Sequence, residues 1–200
     1  MQLFALANMP LVQPGDDLPA LITTALRDNK RPLVDGDVLV IAQKIVSKAE
    51  NRYVDLGSVT PSADAVQLAK KVAKDPRLVE LILRESREVI RYKPGVLIVE
   101  HVLGYVHANA GIDRSNIDGS DSMVLLLPEN PDDSAAQLRR RIGEEWGVDV
   151  AIIINDSAGR AWREGAIGFA LGCAGFDPVV DLVGRRDLSG RPMQVTRVAV

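Results

Sequence analysis

The strongest constraint on this chain lies in residues 151–163. Ala151, Ile152, Ile153 and Ile154 form an unbroken apolar run that turns polar at Asn155, Asp156 and Ser157. Apolar residues that do not alternate mark a strand covered on both faces, here entered near residue 148. Beyond it Asp156 and Ser157 are adjacent, a glycine follows at 159, and Arg160 and Arg163 lie three apart. A carboxylate and a hydroxyl at the exit of a buried strand are placed to hold a divalent cation, and the arginines offer planar forks to phosphate or carboxylate oxygens. The plainer alternative is a strand end whose aspartate caps a turn and whose arginines are solvated.

Around that strand the pattern gives helices and further strands. Residues 3–6 are a short apolar start, followed by a loop with Pro10, Pro14 and Gly15. Asp16 or Asp17 then caps a helix whose buried face is Leu18, Leu21, Ile22, Ala25 and Leu26. Asp35, Gly36 and Asp37 make a turn into a buried strand at 38–42. Directly beyond it, Gln43, Lys44, Ser47, Lys48 and Glu50 read either as an anion site or as the solvated start of a helix. Residues 62–91 read as helical, with a break at Asp75 and Pro76. In that reading Arg84, Glu85, Arg87, Glu88 and Arg91 line a solvated face. Strands are expected at 96–100 and 123–128, and a helix capped by Asp132, Asp133 or Ser134 is closed by Gly147. The glycines of 165–172 spell neither a Walker-type loop nor a dinucleotide fingerprint, so close backbone packing explains them. Residues 184–193 read as a loop that feeds a last strand at 194–200.

Two histidines, His101 and His107, lie outside any metal-ligand spacing and read mainly as structural. His107 has the better claim to a ligand because of the polar loop after it, Asn109 to Asn116. There Gly111 permits an unusual turn, while Asp113 and Asn116 carry oxygens suited to a hard cation. Side chain-to-backbone turns are the structural alternative. With Asp156 as partner, Asp113 makes the second half of a carboxylate metal site.

Composition limits the function classes. A chain of 200 residues, 46% hydrophobic and 26% charged, can bury a sizeable core as one domain. A net charge of -3 makes no electrostatic case for nucleic acid or an anionic membrane. No apolar run approaches a membrane span, and the start lacks the basic flank and apolar core of a signal peptide. The single cysteine, Cys173, allows no intramolecular disulfide and fits a reducing compartment, so the expected location is the cytoplasm. Among Gly172, Ala174 and Gly175 it reads as packed.

Taken together, these segments resemble the coenzyme F420 gamma-glutamyl ligases. The resemblance runs from Met9, Pro10, Leu11 and Val12 to the final strand. It is carried by Ile45-Val46-Ser47-Lys48-Ala49-Glu50, Asn109-Ala110-Gly111-Ile112-Asp113 with Ser115-Asn116, Leu127-Pro128 with Asp132 and Ser134-Ala135, and Asp156-Ser157-Ala158-Gly159-Arg160 with Trp162-Arg163. It implies an α+β fold of mixed sheets and helices and an intertwined homodimer. The implied activity is addition of L-glutamate, gamma-linked, to the deazaflavin coenzyme precursor through an acyl phosphate, with GTP as co-substrate. Mn2+ or Mg2+ is implied as the metal, with K+ a further candidate ion.

By position, Asp113, Asp156 and Ser157 look like metal ligands, and Asn116 and Lys48 like nucleotide-phosphate contacts. Met9, Pro10, Leu11, Val12, Gln43 and Lys44 match nucleotide-binding segments, and Arg160 and Arg163 are assigned to substrate phosphate or carboxylate. Ser157 stands where threonine is common and Asn51 where glycine is usual. Family members continue past the position of Val200 through a segment that helps hold the nucleotide, which this chain is expected to lack. The competing readings are the same ligase chemistry on another acceptor, and a nucleotide- or deazaflavin-binding module without turnover.

Overall fold

The computed structural model describes residues 1–114, 122–159 and 164–199. In chain order its helices and strands are α1 (Leu18–Asp28), β1 (Val38–Ala42), α2 (Gln43–Ala49), β2 (Tyr53–Asp55), α3 (Ala63–Val72), α4 (Pro76–Arg84), β3 (Ser86–Lys93), β4 (Val96–His101), β5 (Val106–Ala108), β6 (Met123–Leu125), α5 (Pro131–Trp146), β7 (Ala151–Gly159), β8 (Ala166–Ala174), β9 (Val179–Asp181) and β10 (Arg197–Ala199). This is an α+β architecture, and its apolar side chains gather into two cores.

The first core is built on the sheet β1-β7-β8. β1 pairs with β7 in parallel, from Val38 opposite Ala151 to Ala42 opposite Asn155. β8 returns antiparallel on the other side of β7, with an irregularity where Ile154 faces Gly172 and Asn155 faces Ala170. Ile41, Ile152 and Ile154 point into a cluster with Leu18, Ile22 and Leu26 of α1 and Leu138 and Ile142 of α5. Ile152 and Ile154 are fully buried, and each contributes about 1.5–3 kcal/mol by leaving water.

Helix ends follow elementary capping rules. Asp17 caps α1, its Oδ1 accepting the Ala20 N–H at 3.2 Å. The cap of α5 lies earlier than expected. Asn130 accepts from the Asp133 N–H, Pro131 occupies the first turn, and Gly147 closes the helix at φ 68°. Asp132 instead accepts the Cys173 N–H at 2.9 Å, stitching α5 to β8. Close packing explains Gly172, since a Cβ there would lie 2.3 Å from the Pro131 carbonyl carbon.

The second core places α3 and α4 against the antiparallel sheet β3-β4-β5. Leu97 and Val99 of β4 are fully buried with Val72, Val79 and Ile82. Here the structure departs from the sequence reading. The helical stretch ends at Arg84, and residues 86–93 form β3. Register shifts between Ser86 and Glu88 and between Val89 and Arg91 interrupt the strand alternation, so no period of two shows in the sequence.

Candidate functional site

Asp156 and Ser157 lie within β7 rather than beyond its end. The strand continues to Gly159, with Asp156 opposite Phe169 and Ser157 opposite Gly168 of β8. β1, by contrast, stops opposite Asn155, and α2 begins at the next residue. The start of α2 is thereby delivered to the edge of β7 where Asp156 follows. Most of its polar residues are withdrawn from solvent, Lys44 being partly exposed. Gln43, Ser47 and Lys48 are buried, and the Gln43 amide donates to the Ser47 hydroxyl at 2.7 Å. That burial removes the solvated-helix alternative for these three residues.

The second contribution arrives on the chain after β5. Asn109, Ala110 and Gly111 hold successive left-handed conformations, at φ 53°, 54° and 68°. For Asn109 and Ala110 this costs on the order of 1–2 kcal/mol each, strain of a kind concentrated at functional sites. Gly111 supplies the backbone latitude for its positive φ, and no side chain would fit there, because a Cβ would meet Leu127 at 2.8 Å. The turn reverses the chain so that Asp113 pairs with β6. Asp113 and Leu125 exchange two backbone hydrogen bonds of 2.9 Å. On its other side Leu125 faces Tyr53 of β2, the strand that follows α2. With its backbone so held, the Asp113 carboxylate meets Lys44 Nζ at 2.6 Å.

The other carboxylate has its own basic neighbour. His107 Nε2 stands 3.4 Å from Asp156 Oδ2, within ion-pair range but without hydrogen-bond alignment. The Asp156 carboxylate raises the His107 pKa above its ordinary value; burial opposes the rise and the Ala108 carbonyl assists it. We read the contact as electrostatic, since the geometry is too loose for a directed bond. Asp113 and Asp156 are thus tied, through Lys44 and His107, to one end of the β1–β7 pair.

His101 belongs to the packing, as its sequence context suggested. Its Nδ1 accepts the Leu103 N–H at 3.0 Å, and its Nε2 lies 3.7 Å from Glu85 Oε2. Arg52 reaches the same Glu85 oxygen at 3.2 Å and the Leu127 carbonyl at 2.8 Å. His101 pulls the Glu85 carboxyl below its usual pKa against the opposing effect of burial, and Arg52 adds to the lowering. Glu85 therefore sits in a half-buried charge network and not on a solvated helix face. Burial pushes the Cys173 thiol up, so it lacks the thiolate character of a nucleophile.

In the segment expected to bind nucleotide, Val12 is buried in the first core and Met9 packs against it, while Pro10 and Leu11 are exposed. Asn116, Arg160 and Arg163 lie outside the described residues. A cleft of about 580 Å³ opens beside the C-terminal half of α2, lined among others by Asp17, Glu50, Arg52, Ser134 and Arg141. Its charged groups are engaged, Arg141 with Asp17 at 2.6 Å, while the Ser134 hydroxyl donates to Glu50 at 2.5 Å. It contains neither Asp113 nor Asp156. The Lys44–Asp113 and His107–Asp156 pairs, near the point where β1 stops beside β7, are therefore the stronger candidate site.

Among the described residues no three His, Cys, Asp or Glu side chains come close enough to hold a metal ion. Asp113 and Asp156 still suit a hard divalent cation, because they offer oxygen alone. Ser157, the next residue along β7, projects to the opposite face of the strand from Asp156 and does not join them. His107 is the residue that sequence reasoning undervalued. Its only signal was position, two residues before the left-handed turn.

Residues 7–200 match the family described as F420-0:Gamma-glutamyl ligase. The chain is 46% identical over 200 residues to the coenzyme F420:L-glutamate ligase of Methanothermobacter thermautotrophicus, covering all of this chain and 79% of the relative. To the protein of the same name from Methanopyrus kandleri it is 47% identical over 189 residues, 94% of this chain and 72% of the relative. To that of Archaeoglobus fulgidus it is 41% identical over 196 residues, 98% of this chain and 76% of the relative.

Proposed function

The chain belongs to the F420-0:gamma-glutamyl ligase family and is a ligase that forms gamma-glutamyl bonds, and we propose that it joins L-glutamate to the deazaflavin coenzyme F420 precursor at the expense of GTP. The match along residues 7–200 is the observation that carries this reading. The site chemistry supports it. Carboxylates with basic partners suit phosphoryl transfer, in which positioning and charge neutralisation supply most of the catalysis.

In the proposed route a carboxylate oxygen of the precursor attacks the γ-phosphorus of GTP. The bond to the bridging oxygen breaks, giving an acyl phosphate and GDP. The amine of L-glutamate, having lost a proton, attacks the acyl carbon. The bond from carbon to the phosphate oxygen then breaks and inorganic phosphate leaves, so one GTP is consumed per amide. Later glutamates extend the tail through γ-carboxylates.

Lys44, Lys48 and Asn116 contact the nucleotide phosphates, with Gln43 and residues 9–12 completing the nucleotide site. Arg160 and Arg163 hold the phosphate or carboxylate of the acceptor. Asp113 and Asp156 would hold Mn2+ or Mg2+, and K+ is a further candidate ion. A divalent ion bound there would neutralise phosphate oxygens as charge shifts between them. The chain acts as a homodimer in this reading, and Val38 and Val40 on edge strand β1, 52% and 58% exposed, are apolar surface for a second copy to cover.

An oxygen-18 label tests the chemistry. The precursor is labelled in its reacting carboxylate and incubated with GTP, L-glutamate and Mn2+. The route requires one labelled oxygen in the released phosphate for each glutamyl group added. Product formed with unlabelled phosphate would eliminate the acyl phosphate, and phosphate release without amide product would eliminate the ligation.

A further inference from the structure

We propose that His107 is a positioning residue that fixes the Asp156 carboxylate in the direction a ligand oxygen must face. The inference rests on the reading of Asp156 as a metal ligand.

His107 lies on β5, opposite Val99 of β4, and its side chain is 11% exposed. The ring is held on several sides. Nδ1 lies 3.0 Å from the Ala108 carbonyl oxygen. The ring packs on Phe169, centroids 5.8 Å apart. Phe169 is the cross-strand partner of Asp156, and it packs edge-on to Tyr105 at 6.3 Å. The Tyr105 hydroxyl donates to the Leu171 carbonyl on the same strand as Phe169. The imidazole is therefore oriented by both sheets at once.

So oriented, Nε2 is buried and has no hydrogen-bond partner among the described residues. The group it faces is Asp156 Oδ2, at 3.4 Å. A buried ring nitrogen without a partner calls for an explanation, and the carboxylate supplies it. The terminal torsion of an aspartate is soft, whereas a productive ligand must hold its direction to within roughly 10–20°. The electrostatic contact at Oδ2 biases that torsion toward the buried imidazole, so that the other oxygen would be turned toward a bound cation. Residues that orient ligating carboxylates typically change metal affinity by about 10- to 100-fold when removed. If His107 served only to pack against Phe169, an aromatic ring without nitrogen would replace it.

The test measures Mn2+ binding to the purified full chain from the electron paramagnetic resonance signal of free Mn2+, alongside thermal melting. His107→Phe keeps a ring against Phe169 and removes both nitrogens. It should weaken Mn2+ binding about 10- to 100-fold with little change in melting temperature. His107→Gln, whose amide can donate to Asp156, should recover most of the loss. In turnover the Phe variant should need more Mn2+ yet approach the parent rate at saturation. If His107→Phe fails to fold, His107→Asn, too short to reach Asp156, makes the same comparison with His107→Gln.

Asp156→Asn separates the two ideas. Weakened binding in Asp156→Asn with unchanged or tighter binding in His107→Phe overturns the positioning role alone. Unchanged binding in Asp156→Asn, or no Mn2+ binding by the parent, overturns the ligand reading and the positioning role together.

Discussion

The two cores supply the candidate site by different means. The first core presents Lys44 and Asp156 from regular elements, where a parallel strand pair ends and a helix begins. The second core presents His107 and Asp113 from a short edge strand and a turn with two non-glycine residues in left-handed conformation. One half is thus stiff because β7 is paired with β8 along its length and with β1 up to Asn155. The other half has to be held against its local preference. The strain on Asn109 and Ala110 is offset by the backbone pairing of Asp113 with Leu125 and by the buried contacts of Ala110. A site at such a seam can join a stiff strand-and-helix edge to a loop set by an independent core.

The largest effect expected is on turnover. Asp156→Asn from the first core and Asp113→Asn from the second should each reduce the rate on the order of 100-fold or more, with melting little changed. Loss in one and not the other, in a steady-state assay, would show that only one core carries chemistry. Next in size is the packing of each core. Ile154→Ala and Leu97→Ala should each cost about 2–5 kcal/mol in urea unfolding. Only the Leu97 variant should loosen the Asp113 turn, which amide exchange at Asp113 and Leu125 would report.

Gly111→Ala should cost about 1–3 kcal/mol, combining a left-handed backbone with overlap on Leu127. Its activity should fall more than its stability. An activity loss no larger than the fraction unfolded would mean that the turn does not set the site.

The smallest effect concerns the clamp between α3 and α4. Glu80 accepts the Ser62 N–H and the Arg84 guanidinium, each at 2.9 Å. Its pKa is lowered to about 2, the Ser62 contacts first among the causes. A lowered folded-state pKa gives stability that is present above the ordinary value near 4.5 and lost as pH falls toward about 2. Glu80→Gln should cost no more than about 1 kcal/mol at neutral pH, and the difference from the parent should vanish at the acid end of a pH-dependent urea series.

Legibility in the sequence differed between the cores for the same physical reason. Continuous apolar runs and simple caps announced β1, β7 and α1, but the run at 38–42 is not a buried strand: only Ile41 is buried, and Val38 and Val40 are exposed because β1 is an edge strand. β3 was read as helix because its irregular register hides the alternation. The cap of α5 was misplaced because Asn130 precedes Pro131 while three other capping residues follow it. Asp113 and Asp156 were visible as chemistry, but the pairing of each with Lys44 and His107 was not. Those contacts join residues 69 and 49 positions apart (113 − 44; 156 − 107), and they exist only once the β1–β7 pair and the Asp113–Leu125 bridge have formed.

The most direct measurement of the central claim is the mass of the deazaflavin precursor after incubation with the purified chain, L-glutamate, GTP and Mn2+. The account predicts successive glutamyl increments that disappear when either GTP or the metal is withheld. An unchanged mass with all components present, or increments that persist without GTP, would contradict it.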